Sequence, residues 1–181
     1  MQLLPVITLD EQAVLGLRGD NGNFYTSMQL LNTLESVFDE GGVEGFCLDL
    51  SSVDLVEIDG LKRVLNNWSD RARDRGLRSC LVLSGTTSAA SLGTLSEVVD
   101  RTVVKMFQEP WVGSLPGPLA PQDWFETALG RARDSIDSEK LIIALGAGAV
   151  DWVSSKAKPD KVPYAQAMTE LALAQSAPIY D

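Results

Sequence analysis

Short apolar runs alternate with longer amphipathic runs along this chain, and that rhythm limits the fold more than any other feature. The apolar runs LLPVITL (3–9), AVLGLR (13–18), GFCLDL (45–50), RSCLVLS (78–84), RTVVKMF (101–107) and KLIIALGAG (140–148) predict strands. The segments 26–40, 58–75, 88–99, 123–136 and 159–175 predict helices, and APIYD (177–181) opens a further strand. Thr26 or Ser27, Asp59 and Asp123 are the expected helix caps, and Gly76 is an expected stop. DNGN (20–23) is a turn signal, and the four prolines between 110 and 121 mark a long loop within one domain. A strand–helix–strand–helix order builds a parallel sheet. The expected fold is therefore α/β: an open sheet, or a partial or shortened (β/α)8 barrel of parallel strands with flanking helices. A full barrel takes about 250 residues, and this chain has 181. All 181 residues are expected to form a single domain, as a fragment of a barrel or a shortened one.

Charge removes several function classes. The net charge is −10, with 15 Lys and Arg against 25 Asp and Glu. A phosphate-backbone partner needs a clustered basic surface, so neither a nucleic acid nor an anionic membrane surface is expected. Histidine is absent, which excludes a Ser-His-Asp hydrolase, a His-ligated zinc site and an imidazole pH switch. No metal or other cofactor is expected. Cys47 and Cys80 are too few for a disulfide framework and are expected as two small core residues. No run of eighteen apolar residues is present, so no span of a bilayer is expected. The start MQLLPVITLDEQ has no basic region and too short an apolar run for a signal peptide. The compartment stays open. The glycines of ALGAGAVDW lack a following helix start and a lysine, so a phosphate loop is not expected there.

The segment GFCLDLSS (45–52) carries the main chemical signal. Successive strand residues face opposite sides. Phe46, Leu48 and Leu50 therefore share one face, while Cys47, Asp49 and Ser51 share the other. Lys105 and Phe107 likewise share a face of the 101–107 strand. A buried ammonium needs a partner, and Asp49 is the available inward acid. Two placements of Lys105 are open: an ion pair with Asp49 that fills the site, or a side chain that snorkels outward at the strand end.

Several segments in order resemble the family 18 glycoside hydrolases, nearest to the bacterial branch that acts on peptidoglycan and chitin-like glycans. VEGFCLDLS (43–51) is similar to the family's DxxDxDxE strand, and FQEPW (107–111) to its Tyr-Asp-Glu-His-Trp stretch. PGPLAPQDWFETALGRARDSIDSEKLIIALGAGAVDW (116–152) resembles the loop, helix and strand that end in Asp-Trp. PYAQAMTELALAQSAPIYD resembles the helix and strand that follow. The resemblance implies an ancestral activity: hydrolysis of β-1,4 bonds in N-acetylglucosamine-containing glycan by a substrate-assisted mechanism. In that mechanism the last Glu of the motif protonates the glycosidic oxygen, and the Asp two residues earlier orients the N-acetyl group.

On this chain the motif positions fall on Glu44, Cys47, Asp49 and Ser51. Asp49 is retained, and Ser51 stands at the acid's position. A hydroxyl is no general acid near neutral pH. The Tyr-Asp pair falls on Phe107 and Gln108, Glu109 matches a Glu that is not the proton donor, and two aromatic positions fall on Gly148 and Val150. Glu57, past the strand end, is not placed to substitute. The resemblance thus implies a domain that binds N-acetylglucosamine glycan, or scaffolds polysaccharide processing, without cutting. Phe107, Gln108, Glu109, Trp111 and Trp152 are its candidate substrate-binding residues, while Trp124 is expected to pack a helix on the sheet. The partner is that glycan or another domain of a parent chain, in the cell envelope or outside the cell. An exposed apolar sheet edge would favour packing against further chain.

A second resemblance is to the STAS domains, the anti-sigma-factor antagonists. It rests on DLSSVDLVEIDGLKRVLNNW (49–68) and the strand after it. It implies a protein-interaction module. The family's phosphorylatable serine falls on Ile58, so that switch would be missing, and the likeness ends near residue 107.

Overall fold

The computed structural model describes residues 4–9, 32, 43–55, 58–109, 115–152 and 159–174. The expected strand 13–18, the turn 20–23 and the APIYD strand lie outside the described residues. So does the expected helix 26–40, apart from Asn32, which is helical.

Five parallel strands form one sheet in the order β1 (Val6–Thr8), β2 (Gly45–Asp49), β3 (Arg78–Ser84), β4 (Arg101–Lys105) and β5 (Leu141–Ala144). Among the described residues, each strand of this sheet lies beside the next in sequence. Between them run the helices α1 (Ile58–Asp74), α2 (Ala89–Ser96) and α3 (Gln122–Ser135). This is the α/β architecture that the rhythm predicts.

Register sorts the residues onto two faces. Partners Ile7, Leu48, Leu81, Thr102 and Leu141 lie in one row, with Leu83, Val104 and Ile143 in another. These residues form the outer face, and all but the buried Thr102 join Leu61, Leu65, Trp68 and Ala132 of the helices in the main core. The Phe46 and Trp68 rings sit 3.8 Å apart, centroid to centroid. Val6, Cys47, Cys80 and Arg101 form a row of the opposite, inner face. Thr8, Asp49, Val82, Val103 and Ile142 form the next, and Ser84, Lys105 and Ala144 the last. β2 is buried along its whole length, as a central parallel strand must be.

Local chemistry sets the helices. On α1, Leu61, Leu65, Trp68 and Ala72 recur on one stripe and are all buried. Gly76, at φ 72°, ends it in a Schellman motif: its N–H donates to Arg73 O at 2.9 Å and the Leu77 N–H to Ala72 O at 2.9 Å. Asp59 and Asp123 fall inside the first turns of α1 and α3 rather than at the caps. Their carboxylates still oppose the positive end of each helix dipole. Pro121 holds the cap position of α3, since proline needs no donor there. Ser88 caps α2 by accepting from the Ser91 N–H at 3.1 Å.

Two expectations change. The run 140–148 breaks after Ala144, and Gly148 opens a separate strand, β6 (Gly148–Asp151). β6 pairs antiparallel with β7 (Asp160–Pro163), so the last helix, α4, begins only at Tyr164 and runs to Leu173. Pro163 disfavours a helical conformation in the residue before it, which leaves 160–162 free to pair as a strand. The cysteines also differ from expectation. Cys47 and Cys80 are direct register partners on β2 and β3, and they form a disulfide. They remain buried beside Val82, but as one cross-strand link rather than two separate core thiols.

Candidate functional site

An open cleft of about 610 Å³ lies at the C-terminal ends of β1 to β4. Thr8, Asp49, Ser84 and Lys105 each end their strands, and Ser51, Ser52, Thr86 and Phe107 to Glu109 complete the wall. In parallel α/β folds this is the end where loops gather and ligands bind.

A closed triangle of side chains forms its floor. Asp49 Oδ1 accepts from the Ser51 N–H at 2.9 Å and from the Ser51 hydroxyl at 2.6 Å. Asp49 Oδ2 accepts from Lys105 Nζ at 2.8 Å, and that ammonium also donates to Ser51 Oγ at 2.8 Å. Lys105 reaches from β4 across β3 to β2 to do so. The Asp49–Ser51 contact is local, a side chain accepting from the backbone two residues on as the chain turns out of the strand. The Lys105 contact joins positions 56 apart in sequence.

Burial pushes the Asp49 carboxyl up, but the hydrogen bonds from Lys105 and Ser51 outweigh it and hold its pKa below the ordinary value. The carboxylate is therefore ionised at neutral pH. Its side chain is 11% exposed and that of Lys105 24%, so water reaches the pair from the cleft.

Other expected site residues divide. Phe107, Gln108 and Glu109 line this cleft and a smaller one of about 240 Å³ beside the β6–β7 hairpin. Phe107 packs against Gly146, where an added Cβ would meet its ring at 3.2 Å. Gln108 is pinned through its N–H, which donates to Leu119 O at 2.7 Å. Glu109 pairs with Lys161 at 2.8 Å, and both are more than half exposed. Trp152 follows β6, is half-buried, and is not among the residues that line either cleft. Glu44 is exposed at the opposite end of β2. Trp124 packs on the outer core, as expected. Trp111 and Glu57 lie outside the described residues.

The sequence does not single out Thr8, Ser52, Ser84 or Thr86. The available signal is positional, because each sits at or just past the end of a run that reads as a strand. Arg131 holds the loop after β3 in place, donating to Gly85 O at 3.0 Å and Thr87 O at 3.3 Å. Among the described residues no cluster of three or more His, Cys, Asp or Glu could hold a metal ion. No helix among them is long and apolar enough to cross a membrane. Chemically, the cleft offers neutral hydroxyls, a carboxamide, one aromatic face, the internally balanced Asp49–Lys105 pair and the exposed Glu109 carboxylate paired with Lys161.

No protein-family model matches the chain, and no curated protein matches it. Solved structures do. One is a Bacillus subtilis protein, ydhD, described as a sporulation-specific glycosylase, with TM-score 0.84 and 19% identity over 98% of this chain and 64% of that one. A class V chitinase from Pseudomonas fluorescens aligns with TM-score 0.83 and 16% identity over 99% of this chain and 59% of its own. The GH18 chitinase ChiB of Flavobacterium johnsoniae aligns with TM-score 0.70 and 11% identity over 98% and 59%. The chain thus spans less than two thirds of the length of each. The likeness is one of fold: a five-stranded parallel α/β sheet that matches part of the barrel seen in glycoside hydrolase family 18 chitinase and glycosylase structures.

Proposed function

We propose that this chain is a non-catalytic member of the family 18 glycoside hydrolase type that binds an N-acetylglucosamine-containing glycan at the mouth of its parallel strands. The observation that carries this is the Asp49–Ser51–Lys105 triangle. By the motif alignment, Ser51 stands where the general acid belongs. A useful proton donor needs a pKa near the working pH. The Ser51 hydroxyl lies far above that range, and Asp49 is held ionised below it. Lys105 bonds both groups, so neither is aimed at a bond to be cut. The remaining wall of hydroxyls, with Gln108 and the Phe107 ring, suits a neutral, hydroxylated ligand. Trp111 is the further stacking candidate, while Trp152 lines neither cleft. The role this supports is positioning glycan, or another domain of a parent chain, in polysaccharide processing at the cell envelope or beyond it. The buried Cys47–Cys80 disulfide supports an oxidising compartment. The interaction-module resemblance is not carried further, because the sheet runs on through β5 in the same order that the first resemblance requires.

The test is a titration with the N-acetylglucosamine tetramer to millimolar concentration, followed by tryptophan fluorescence and by NMR of the Phe107 ring, with mass spectrometry of the sugar. The expected result is saturable binding, weakened by Phe107→Ala, with the tetramer intact. Shortened sugar would refute the non-catalytic reading. A flat titration by both probes would refute glycan binding.

A further inference from the structure

The two clefts share one ridge, Phe107 to Glu109, which lines both of them. Glu109 is the charged group of that ridge, and its side chain is 59% exposed. An open carboxylate beside a binding surface draws cations and repels anions. In a chain of net charge −10 that bias would be strong.

Here the bias is cancelled locally. Lys161 of β7 donates to Glu109 Oε2 at 2.8 Å. Lys105 does the same for Asp49. The charged residues lining the two clefts are Asp49, Glu109, Lys105 and Lys161, two of each sign. The walls are therefore balanced, although acids outnumber bases along the chain.

The second pair is not a by-product of the sheet. β7 belongs to the separate two-stranded sheet, so the Lys161 contact does not follow from the register that brings Lys105 to Asp49. Nor does stability account for it, because exposed ion pairs contribute little to folding. What Lys161 changes is the charge that a ligand meets.

We propose that Lys161 sets the charge selectivity of the cleft. By neutralising Glu109 it fits the ridge to uncharged, N-acetylated sugar and removes a preference for sugar that carries free amines. Glu109 stays available as an acceptor for sugar hydroxyls. This rests on the glycan reading above and adds the residue that decides which form of the glycan is taken.

The test compares two probes, the N-acetylglucosamine tetramer and the glucosamine tetramer, by NMR of the Phe107 ring. At about pH 5.5 the sugar amines are charged and carboxylates as a class remain ionised. The quantity read is the ratio of the two dissociation constants within each protein. Charges common to all variants, such as Asp54 in the neighbouring hydroxyl-lined pocket, cancel from the comparison. Lys161→Gln is expected to shift the ratio toward the amine sugar by about two- to fourfold at about 10 mM salt. That shift should fade at about 1 M salt. Lys161→Arg should restore the parent ratio. Lys62→Gln removes the same charge from an equally exposed pair, Lys62–Glu97 at 2.7 Å, which lines neither cleft. It should leave the ratio unaltered. Binding of the tetramers with an unmoved ratio in Lys161→Gln overturns this inference and leaves the glycan reading standing. So does an equal shift in Lys62→Gln, which would assign the effect to net charge. Flat titrations with both sugars overturn the two together.

Discussion

Replacing Lys105 by Met removes one corner of the triangle and keeps the aliphatic stem. Two charge-assisted hydrogen bonds disappear, the one to Asp49 Oδ2 and the one to Ser51 Oγ. Hydrogen bonds to charged groups are worth about 1.5–3 kcal/mol each when a partner is removed from a dry site. This site is not dry, and Asp49 keeps both donors of Ser51. Water from the cleft can solvate Oδ2. We therefore expect a loss of about 1–2 kcal/mol at neutral pH, discounted for that solvation. For a chain of this size that is about 2–8 °C in Tm, at roughly 2–4 °C per kcal/mol.

The pH dependence separates this account from simple packing loss. The folded-state pKa of Asp49 lies below its ordinary value of 3.8. A depressed carboxylate contributes stability above the unfolded pKa, and that contribution is lost as pH falls through the folded pKa. The difference between parent and Lys105→Met should thus be full at neutral pH and shrink as Asp49 is protonated below 3.8. Urea unfolding followed by tryptophan fluorescence across pH, with a carbon NMR titration of the Asp49 carboxyl, measures both. The Asp49 midpoint should rise in the variant. Equal urea midpoints together with an unmoved Asp49 titration would refute the reasoning.

Three further outcomes follow from the structure. Cys47 and Cys80 should give no free thiol in the unfolded but unreduced protein, and the double Cys→Ser variant should lose about 4 kcal/mol for a link across 33 residues. Thiol counting and urea unfolding check this. Lys140 donates to three carbonyls at the end of α2, at 3.0–3.3 Å, so Lys140→Met should cost about 1–2 kcal/mol and speed amide exchange in that last turn. Gly45→Ala should cost about 3 kcal/mol or prevent folding, because its Cβ would collide with the Arg78 carbonyl in the neighbouring strand; calorimetry decides it.

Much of the fold is legible in the sequence, because strand and helix periods are local properties. The stripe Leu61, Val64, Leu65 and Trp68, all but the half-buried Val64 buried in α1, and the stop at Gly76 need only neighbours within one helix. The shared face of Cys47, Asp49 and Ser51 needs only the two-residue period of a strand. Even the Lys105–Asp49 pair can be inferred, since an inward lysine requires an acid and Asp49 is at hand. The β6–β7 hairpin is not legible. Gly148–Asp151 and Asp160–Pro163 are four residues each, too short to show a period, and their pairing depends on each other.

The sequence by itself determined the βα order, the inward and outward sides of each strand, and a chemistry without histidine. Tertiary structure alone decided register. Register set Cys47 opposite Cys80 as a disulfide and let Lys105 reach both Asp49 and Ser51. It also gathered Thr8, Ser84 and Thr86 around them from separate strand ends. Periodicity fixes which way a side chain points. Only the packing of whole strands against a shared core fixes how far along its neighbour each strand slides, and therefore which side chains meet.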